Sequence, residues 1–170
     1  MSKKNAKLPK VSASEATQLD AQALRERVSE AFETRHFDIK RDGLAPFCFS
    51  GRHLAEVSSY TTGTNLWYEL AAYAKTDGFV ATIKVFKKNP AEKDIHRMEC
   101  FPILAELCAY MEAYEPSHDI IATDDLTDSK LSTAEAMIRA AALRQRIGEA
   151  QSEYRSAAGD ILTQLVQLSV

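Results

Sequence analysis

Glycine, proline and cysteine are all sparse in this chain of 170 residues, with six, five and three copies respectively. Gly-rich loops that cradle phosphates need more glycine, and neither the P-loop nor the dinucleotide-binding pattern occurs. Cys48, Cys100 and Cys108 form no C-x-x-C pair, which argues against a zinc ribbon or a thioredoxin-like redox motif. We expect three reduced, largely buried thiols, as in cytoplasmic proteins.

Long apolar runs are also lacking. No run approaches the ~20 residues that a membrane-spanning helix needs. The lysine-rich start of the chain has no apolar core behind it, so it does not resemble a secretory signal. We therefore expect a cytoplasmic protein that does not bind membranes. The net charge of −3 argues against a surface that is basic throughout, but it leaves room for a local basic patch.

Known catalytic patterns are missing as well. There is no nucleophile elbow, and no two of the four histidines are spaced i, i+4. The acidic run Asp124, Asp125 and Asp128 does not have the spacing of a calcium-binding EF-hand loop. We expect no cofactor and no metal, and we favour a protein that is not an enzyme.

The composition is that of a folded domain, with 45% hydrophobic and 26% charged residues. We divide the chain by its local character. Residues 1–12 are predicted to be a disordered basic tail, 13–116 an α+β domain and 117–131 an acidic linker. Residues 132–170 are predicted to form a long C-terminal helix that packs on the domain or on a partner.

The predicted domain begins with a helix and continues with strands. An apolar stripe from Leu19 to Phe32 predicts a helix that ends near Thr34. Residues 47–60 are strand-like, with a bulge or bend expected at Gly51. A hairpin follows, in which the arms Leu66 to Lys75 and Phe79 to Lys87 are joined by a loop that ends in glycine.

The alternation of apolar residues predicts which side of this hairpin is buried. On the first arm, the set that includes Leu66, Tyr68 and Leu70 should face the core, and on the second arm the set that includes Phe79 and Ile83. A short strand over 95–101 and a helix near 102–115 complete the domain. The fold class is α+β: an antiparallel three- to four-stranded meander flanked by helices, with a long C-terminal helix.

The C-terminal helix has the most regular pattern in the chain. Ser132 and Glu135 form a capping box at its start. Apolar residues then follow a heptad-like seam, so a single helix of ~54 Å is predicted, longer than a domain of this size needs. The leading hypothesis is a regulatory or interaction protein that binds a protein partner or forms a homo-oligomer through this seam. The candidate interface residues are Leu143, Ile147, Tyr154, Ile161, Leu165 and Leu168.

Two alternatives remain open. Aromatic and basic side chains on the outer face of the hairpin and in the basic loop 84–97, together with the lysine-rich tail, are typical of nucleic-acid binding. The candidates are Trp67, Tyr73, Lys75, Lys84, Lys87, Lys88 and Arg97. The other alternative is a small enzyme with a site on the sheet near His53, Glu56 and Glu69, where we place His53 on the face opposite Glu56.

Overall fold

The structure is a computed structural model that describes residues 33–120 and 130–169. In that part of the chain the strands come first and the helices follow. The strands are β1 (Arg35–Arg41), β2 (Leu44–Ser58), β3 (Leu66–Lys75), β4 (Gly78–Lys87) and β5 (Ile95–Phe101). The helices are α1 (Leu104–Ala113), a short 3-10 helix (Pro116–Asp119) and α2 (Thr133–Ser169). The predicted α+β class is confirmed.

The strands form one antiparallel meander in the order β1-β2-β3-β4-β5. The sheet curls, so that the end of β1 meets the start of β5. There the amide of Asp42 donates to the carbonyl of His96 over 3.1 Å, and the Asp42 carboxylate accepts from the amide of His96 over 2.8 Å. The first and last strands are thereby joined at one corner of the sheet.

The predicted number of strands was wrong. The described sheet has five strands instead of three to four, because β1 precedes the range that was assigned to the meander. β1 lies at the edge of the sheet, and Ile39 is the one fully buried residue among its seven. Charged residues are common on edge strands, where they discourage pairing with other chains. Here only Phe37 and Ile39 are left to mark the apolar side of β1.

The bulge in β2 lies at Leu54 rather than at Gly51. His53 pairs with Tyr73 and Ala55 pairs with Ala72, so Leu54 is an extra residue in β2. An extra residue restarts the alternation of sides. His53 and Glu56 therefore share one face of the sheet, where we predicted opposite faces, and their side chains approach within 3.5 Å.

Gly51 is required for a different reason. It pairs regularly with Lys75, and a Cβ placed on it would clash with the carbonyl oxygen of Ala74 and contact the ring of Phe49. The glycine thus permits a close approach between β2 and β3.

The main core lies between the sheet and the helices. The predicted inward residues of β3 and β4 all belong to it, including Tyr68, Leu70 and Ile83, which are fully buried. Leu107 and Met111 of α1 and the C-terminal half of α2 cover this face. The predicted hairpin and its buried side are confirmed.

A smaller cluster lies on the opposite face of the sheet. Ile39, Ala71, Tyr73 and Val80 are buried there, and Phe37, Phe47, Phe49 and Met98 pack against them. Part of the second face of the sheet is therefore buried as well, by side chains of the strands themselves.

The long C-terminal helix is one continuous element. α2 runs for 37 residues, which corresponds to about 55 Å at the usual rise per residue. The capping box is present: the amide of Ser132 donates to the Glu135 carboxylate over 2.9 Å, and the amide of Glu135 donates to the Ser132 hydroxyl over 3.3 Å. The predicted helix from about 133 to 168 is confirmed.

Several predictions fall on other parts of the chain. The tail over 1–12, almost all of the predicted first helix and the acidic run at 124, 125 and 128 lie outside the described residues. Among the described residues, no helix has the length and apolar character to cross a membrane. The thiols are less buried than we expected, since Cys48 and Cys100 are exposed and Cys108 is half-buried.

Candidate functional site

The predicted interface seam of α2 faces the chain's own body. Tyr154, Ile161 and Leu165 are buried in the main core, with at most 3% of their surface exposed. Leu168, Leu143 and Ile147 are half-buried. In this structure the first three side chains are not accessible to a partner, so they cannot form the predicted interface.

The start of α2 is apolar around almost its whole circumference. Between residues 134 and 143, Glu135 and Arg139 are the charged side chains. Met137 is 69% exposed and Ile138 is 70% exposed. Together with the exposed Ala134, Ala141 and Ala142, these two side chains form a surface that we call the helix tip. The helix tip points away from the seam, because successive residues of an α-helix are turned by about 100°.

A cleft lies beside the N-terminal half of α2, at the end of the β3–β4 hairpin. Glu92, in the loop after β4, accepts from Nη2 of Arg146 at 3.0 Å and 2.8 Å through its two carboxylate oxygens. The Nζ of Lys87 lies 3.5 Å from the same carboxylate, and the Lys87 side chain is only 3% exposed. This Nζ has no hydrogen-bond partner among the described residues.

The cleft has a volume of about 380 Å³ and a mixed lining. Lys87, Lys88 and Arg146 supply positive charge, and Glu92 and Glu149 supply negative charge. The remaining lining residues are Asn65, Leu66, Asn89 and Ile120. The sequence predicts a basic loop that contains Lys87 and Lys88. No local pattern predicts that Arg146 lies beside this loop, because Arg146 is 54 residues beyond Glu92.

A second polar group is buried under the helices. Asp119 is fully buried on the 3-10 helix and accepts from Tyr68 at 2.9 Å, from Arg97 at 2.9 Å and from Tyr114 at 2.7 Å. Burial, reinforced by the nearby Asp119 carboxylate, raises the pKa values of Tyr68 and Tyr114 well above the ordinary range. The carboxylate, the guanidinium and the two hydroxyl groups of this network are all hydrogen-bonded to one another. The network therefore has a structural role: it joins β3, β5 and the helices.

Asp119 is a buried residue within the predicted linker. It belongs to the range 117–131, which was assigned from its acidic composition, yet it is anchored in the core by these three hydrogen bonds.

A second cleft of about 350 Å³ lies nearby, between the end of α1 and α2, and is lined in part by Tyr114 and Tyr154.

Most of the basic side chains that were predicted to bind nucleic acid lie close to carboxylates of the chain. The pairs are Lys75 with Asp77 at 2.6 Å, Lys84 with Glu69 at 3.5 Å, Lys87 with Glu92 at 3.5 Å and Arg97 with Asp119 at 2.9 Å. Lys88 is exposed. Such pairing lowers the positive potential on which phosphate binding depends.

The aromatic members of that prediction are covered to different degrees. Tyr73 is buried, with 6% of its surface exposed, whereas Trp67 is half-buried. Trp67 stacks on Phe86 with ring centroids 5.4 Å apart and meets Tyr60 edge-on at 5.0 Å. The rings therefore contact one another, which leaves less of their faces for a base.

The weak catalytic candidates do not converge. His53 pairs with Glu56 at 3.5 Å, and Glu69 pairs with Lys84 instead. The two clefts described above are lined by other residues. Among the described residues, these three side chains pair with neighbours on the sheet and line neither of the two clefts.

One group of possible metal ligands was not seen in the sequence. His36, Asp38 and Cys48 place their ligand atoms within 4.8 Å of one another across β1 and β2, and all three are exposed. The neighbouring Asp38, through a hydrogen bond above all, raises the pKa of the Cys48 thiol, whereas a metal ligand must be a thiolate. Cross-strand pairing brings these residues together, so their spacing in the sequence carries no signal.

A comparison with protein-family models, with curated proteins and with solved structures finds no match for this chain.

Proposed function

We propose that the protein is a non-enzymatic interaction module that self-associates through the helix tip of α2. The observation that carries the proposal is the exposure of Met137 and Ile138 on a helix segment that is apolar almost all round. Helices of this character in water-soluble proteins are normally buried against another surface. The helix tip is therefore a surface that contact with another molecule would stabilise.

The residues of the helix tip suit a second copy of the chain. The alanines at 134, 141 and 142 permit close approach of a second helix, and the two large side chains, Met137 and Ile138, supply apolar area. Two copies that pair antiparallel about Met137 would present the same surface to each other, and such an isologous contact closes as a dimer.

Association would also stabilise the helix itself. The C-terminal half of α2 is held by the core, from Ala150 to Leu165, whereas Met137 and Ile138 in the segment before it are exposed. Helical segments of fewer than about 12–15 residues are marginal in water without tertiary contacts. The capping box supports the start of α2, and a second copy would add the missing apolar contact.

The two alternatives have less support. Three of the five cations in the nucleic-acid prediction pair with a carboxylate of the chain itself, and Lys87 shares Glu92 with Arg146. The residues of the catalytic prediction, His53, Glu56 and Glu69, line neither of the two clefts described above. We therefore give self-association precedence.

The test is the molar mass of the full chain in solution over a range of concentrations, measured by light scattering or sedimentation equilibrium. Ile138→Glu should weaken the dimer at least 10-fold, because it places a charge at the centre of the proposed contact. Val166→Glu is the matched control, since Val166 is 59% exposed on the same helix but lies outside the helix tip. It should leave the dimer unchanged.

Two results would overturn the proposal. One is a wild-type chain that stays monomeric up to high concentration. The other is a dimer that Ile138→Glu leaves intact or that Val166→Glu disrupts equally. Circular dichroism of both variants checks that they remain folded.

A further inference from the structure

We infer that the cleft between the β3–β4 hairpin and α2 binds a small organic oxyanion, a molecule carrying a carboxylate or phosphate group, through Lys87 and Arg146. This site is separate from the helix tip, and the inference does not depend on self-association. It rests on a buried ammonium group, on the balance of charge around it and on the room beside it.

The buried ammonium group needs an acceptor. The Lys87 side chain is 3% exposed, yet its Nζ lacks a hydrogen-bond partner among the described residues. Lysine is almost never buried unless it is paired, because an ammonium group that leaves water loses its hydration. The contact with Glu92 at 3.5 Å is long for a charge-assisted hydrogen bond. The three donors of Nζ are thus poorly satisfied.

Glu92 is not sufficient for two cations. Both of its carboxylate oxygens accept from Arg146, at 3.0 Å and 2.8 Å. Lys87 and Arg146 therefore share one carboxylate. Glu149, the other acid in the lining, accepts from Gln145 at 2.9 Å, and Lys88 adds a third positive charge. Three cations and two carboxylates leave the cleft with a net positive charge that one oxyanion would offset.

The cleft also has the size and the additional groups of a ligand site. Its volume of about 380 Å³ lies within the usual range for small-molecule pockets. The side-chain amide of Asn65 adds hydrogen-bonding capacity, and Leu66 and Ile120 give an apolar wall. A small molecule with one oxyanion group and a short apolar or hydroxylated body fits this lining better than a purely apolar ligand does.

The experiment uses two probes, inorganic phosphate and succinate, which distinguish a phosphate ligand from a carboxylate ligand. Amide chemical shifts of the full chain are followed by NMR during each titration, with sodium chloride added to keep the ionic strength constant. At least one probe should give saturable shifts at Lys87, Lys88 and Asn89. The Kd should rise at least 10-fold in Lys87→Met, which keeps the apolar stem but removes the ammonium group.

Lys84→Met is the matched control. Lys84 lies on the same strand, but its ammonium group pairs with Glu69 on the opposite face of the sheet. This variant should bind the probe as the wild type does. If Lys87→Met does not fold, Arg146→Gln replaces it, with the same expected rise in Kd.

Three results would overturn the inference. The first is the absence of saturable shifts with both probes. The second is equal binding by the wild type and by the Lys87 or Arg146 variant, and the third is equal loss of binding in Lys84→Met. Ile138→Glu should bind the probe normally, so failure of self-association and failure of anion binding can be told apart.

Discussion

Asp119 is the residue with the most demanding environment among those described. It is fully buried, and Tyr68, Arg97 and Tyr114 all donate to its carboxylate. A buried carboxylate is tolerated only when its lone pairs are used, and the donors around it depend on it in turn. The network therefore ties the 3-10 helix to β3 and β5, which are distant in sequence.

Replacing Asp119 by alanine should therefore lower the free energy of unfolding by about 3 kcal/mol, because it leaves two tyrosine hydroxyls and a partly buried guanidinium without their acceptor. Urea denaturation monitored by circular dichroism measures this loss. Glu33→Ala is the control: Glu33 pairs with Arg35 at 3.0 Å, but its side chain is 82% exposed. It should cost about 0.5 kcal/mol or less. Similar small losses in both variants would contradict the structural role of Asp119.

At the scale of single elements, the spacing of apolar residues predicted a helix or strand correctly where that spacing was regular. The hairpin of β3 and β4 and the whole of α2 follow one periodicity from end to end, so their bounds and buried faces could be predicted. β1 was missed because only Phe37 and Ile39 mark its apolar side, which is too short a pattern to predict a strand. The faces of β2 were partly misassigned because Leu54 adds one residue. A bulge depends on pairing with the neighbouring strand, which a single sequence does not reveal.

The candidate site was harder to predict than the elements. Lys87, Glu92 and Arg146 come from a strand, a loop and a helix, and their meeting depends on how α2 crosses the end of the hairpin. Asp119 was assigned to a linker because acidic stretches are usually solvated. In both cases tertiary packing, rather than local composition, determines the environment of the side chain.

Two glycines should respond oppositely to alanine, because one lies in a crowded sheet and the other on an open helix surface. A Cβ on Gly51 of β2 would clash with the backbone of Ala74, so Gly51→Ala should destabilise the protein by about 1–3 kcal/mol. A Cβ on Gly148 of α2 would meet nothing within 4 Å. Gly148→Ala should stabilise it by about 0.5–1 kcal/mol, since alanine favours the helix. Thermal unfolding of both variants tests the contrast, and a change of the same sign in both would contradict it.

The described part of the molecule is a sheet covered by helices, of which α2 is the longest. The C-terminal half of α2 lies in the core, Arg146 joins its middle to the loop after β4, and the helix tip lies further towards its start. The cleft lined by Lys87 and Arg146 and the helix tip are therefore adjacent along α2. A ligand in the cleft would contact α2 near the point where it leaves the core.

The stability of the whole molecule should fall in alkali. Burial raises the pKa values of Tyr68, Tyr114 and Tyr154 in the folded protein, with the Asp119 carboxylate also contributing, whereas an unfolded tyrosine ionises near about pH 10. Above that pH the unfolded chain binds fewer protons than the folded one, so unfolding becomes more favourable as the pH rises. Below it, these three side chains are protonated in both states and contribute no pH dependence.

Each of the three tyrosines should contribute a loss of up to about 1.4 kcal/mol per pH unit above about pH 10. Urea denaturation between about pH 8 and about pH 11 measures this slope, and absorbance at the tyrosinate band shows whether the three rings ionise only on unfolding. Tyr154→Phe removes the hydroxyl that donates to the carbonyl of Met111 over 2.6 Å, and it should reduce the slope by the contribution of one tyrosine, up to about 1.4 kcal/mol per pH unit. Stability that stays constant through this range, or rings that ionise while the protein is still folded, would show that these tyrosines are accessible to solvent in the native state.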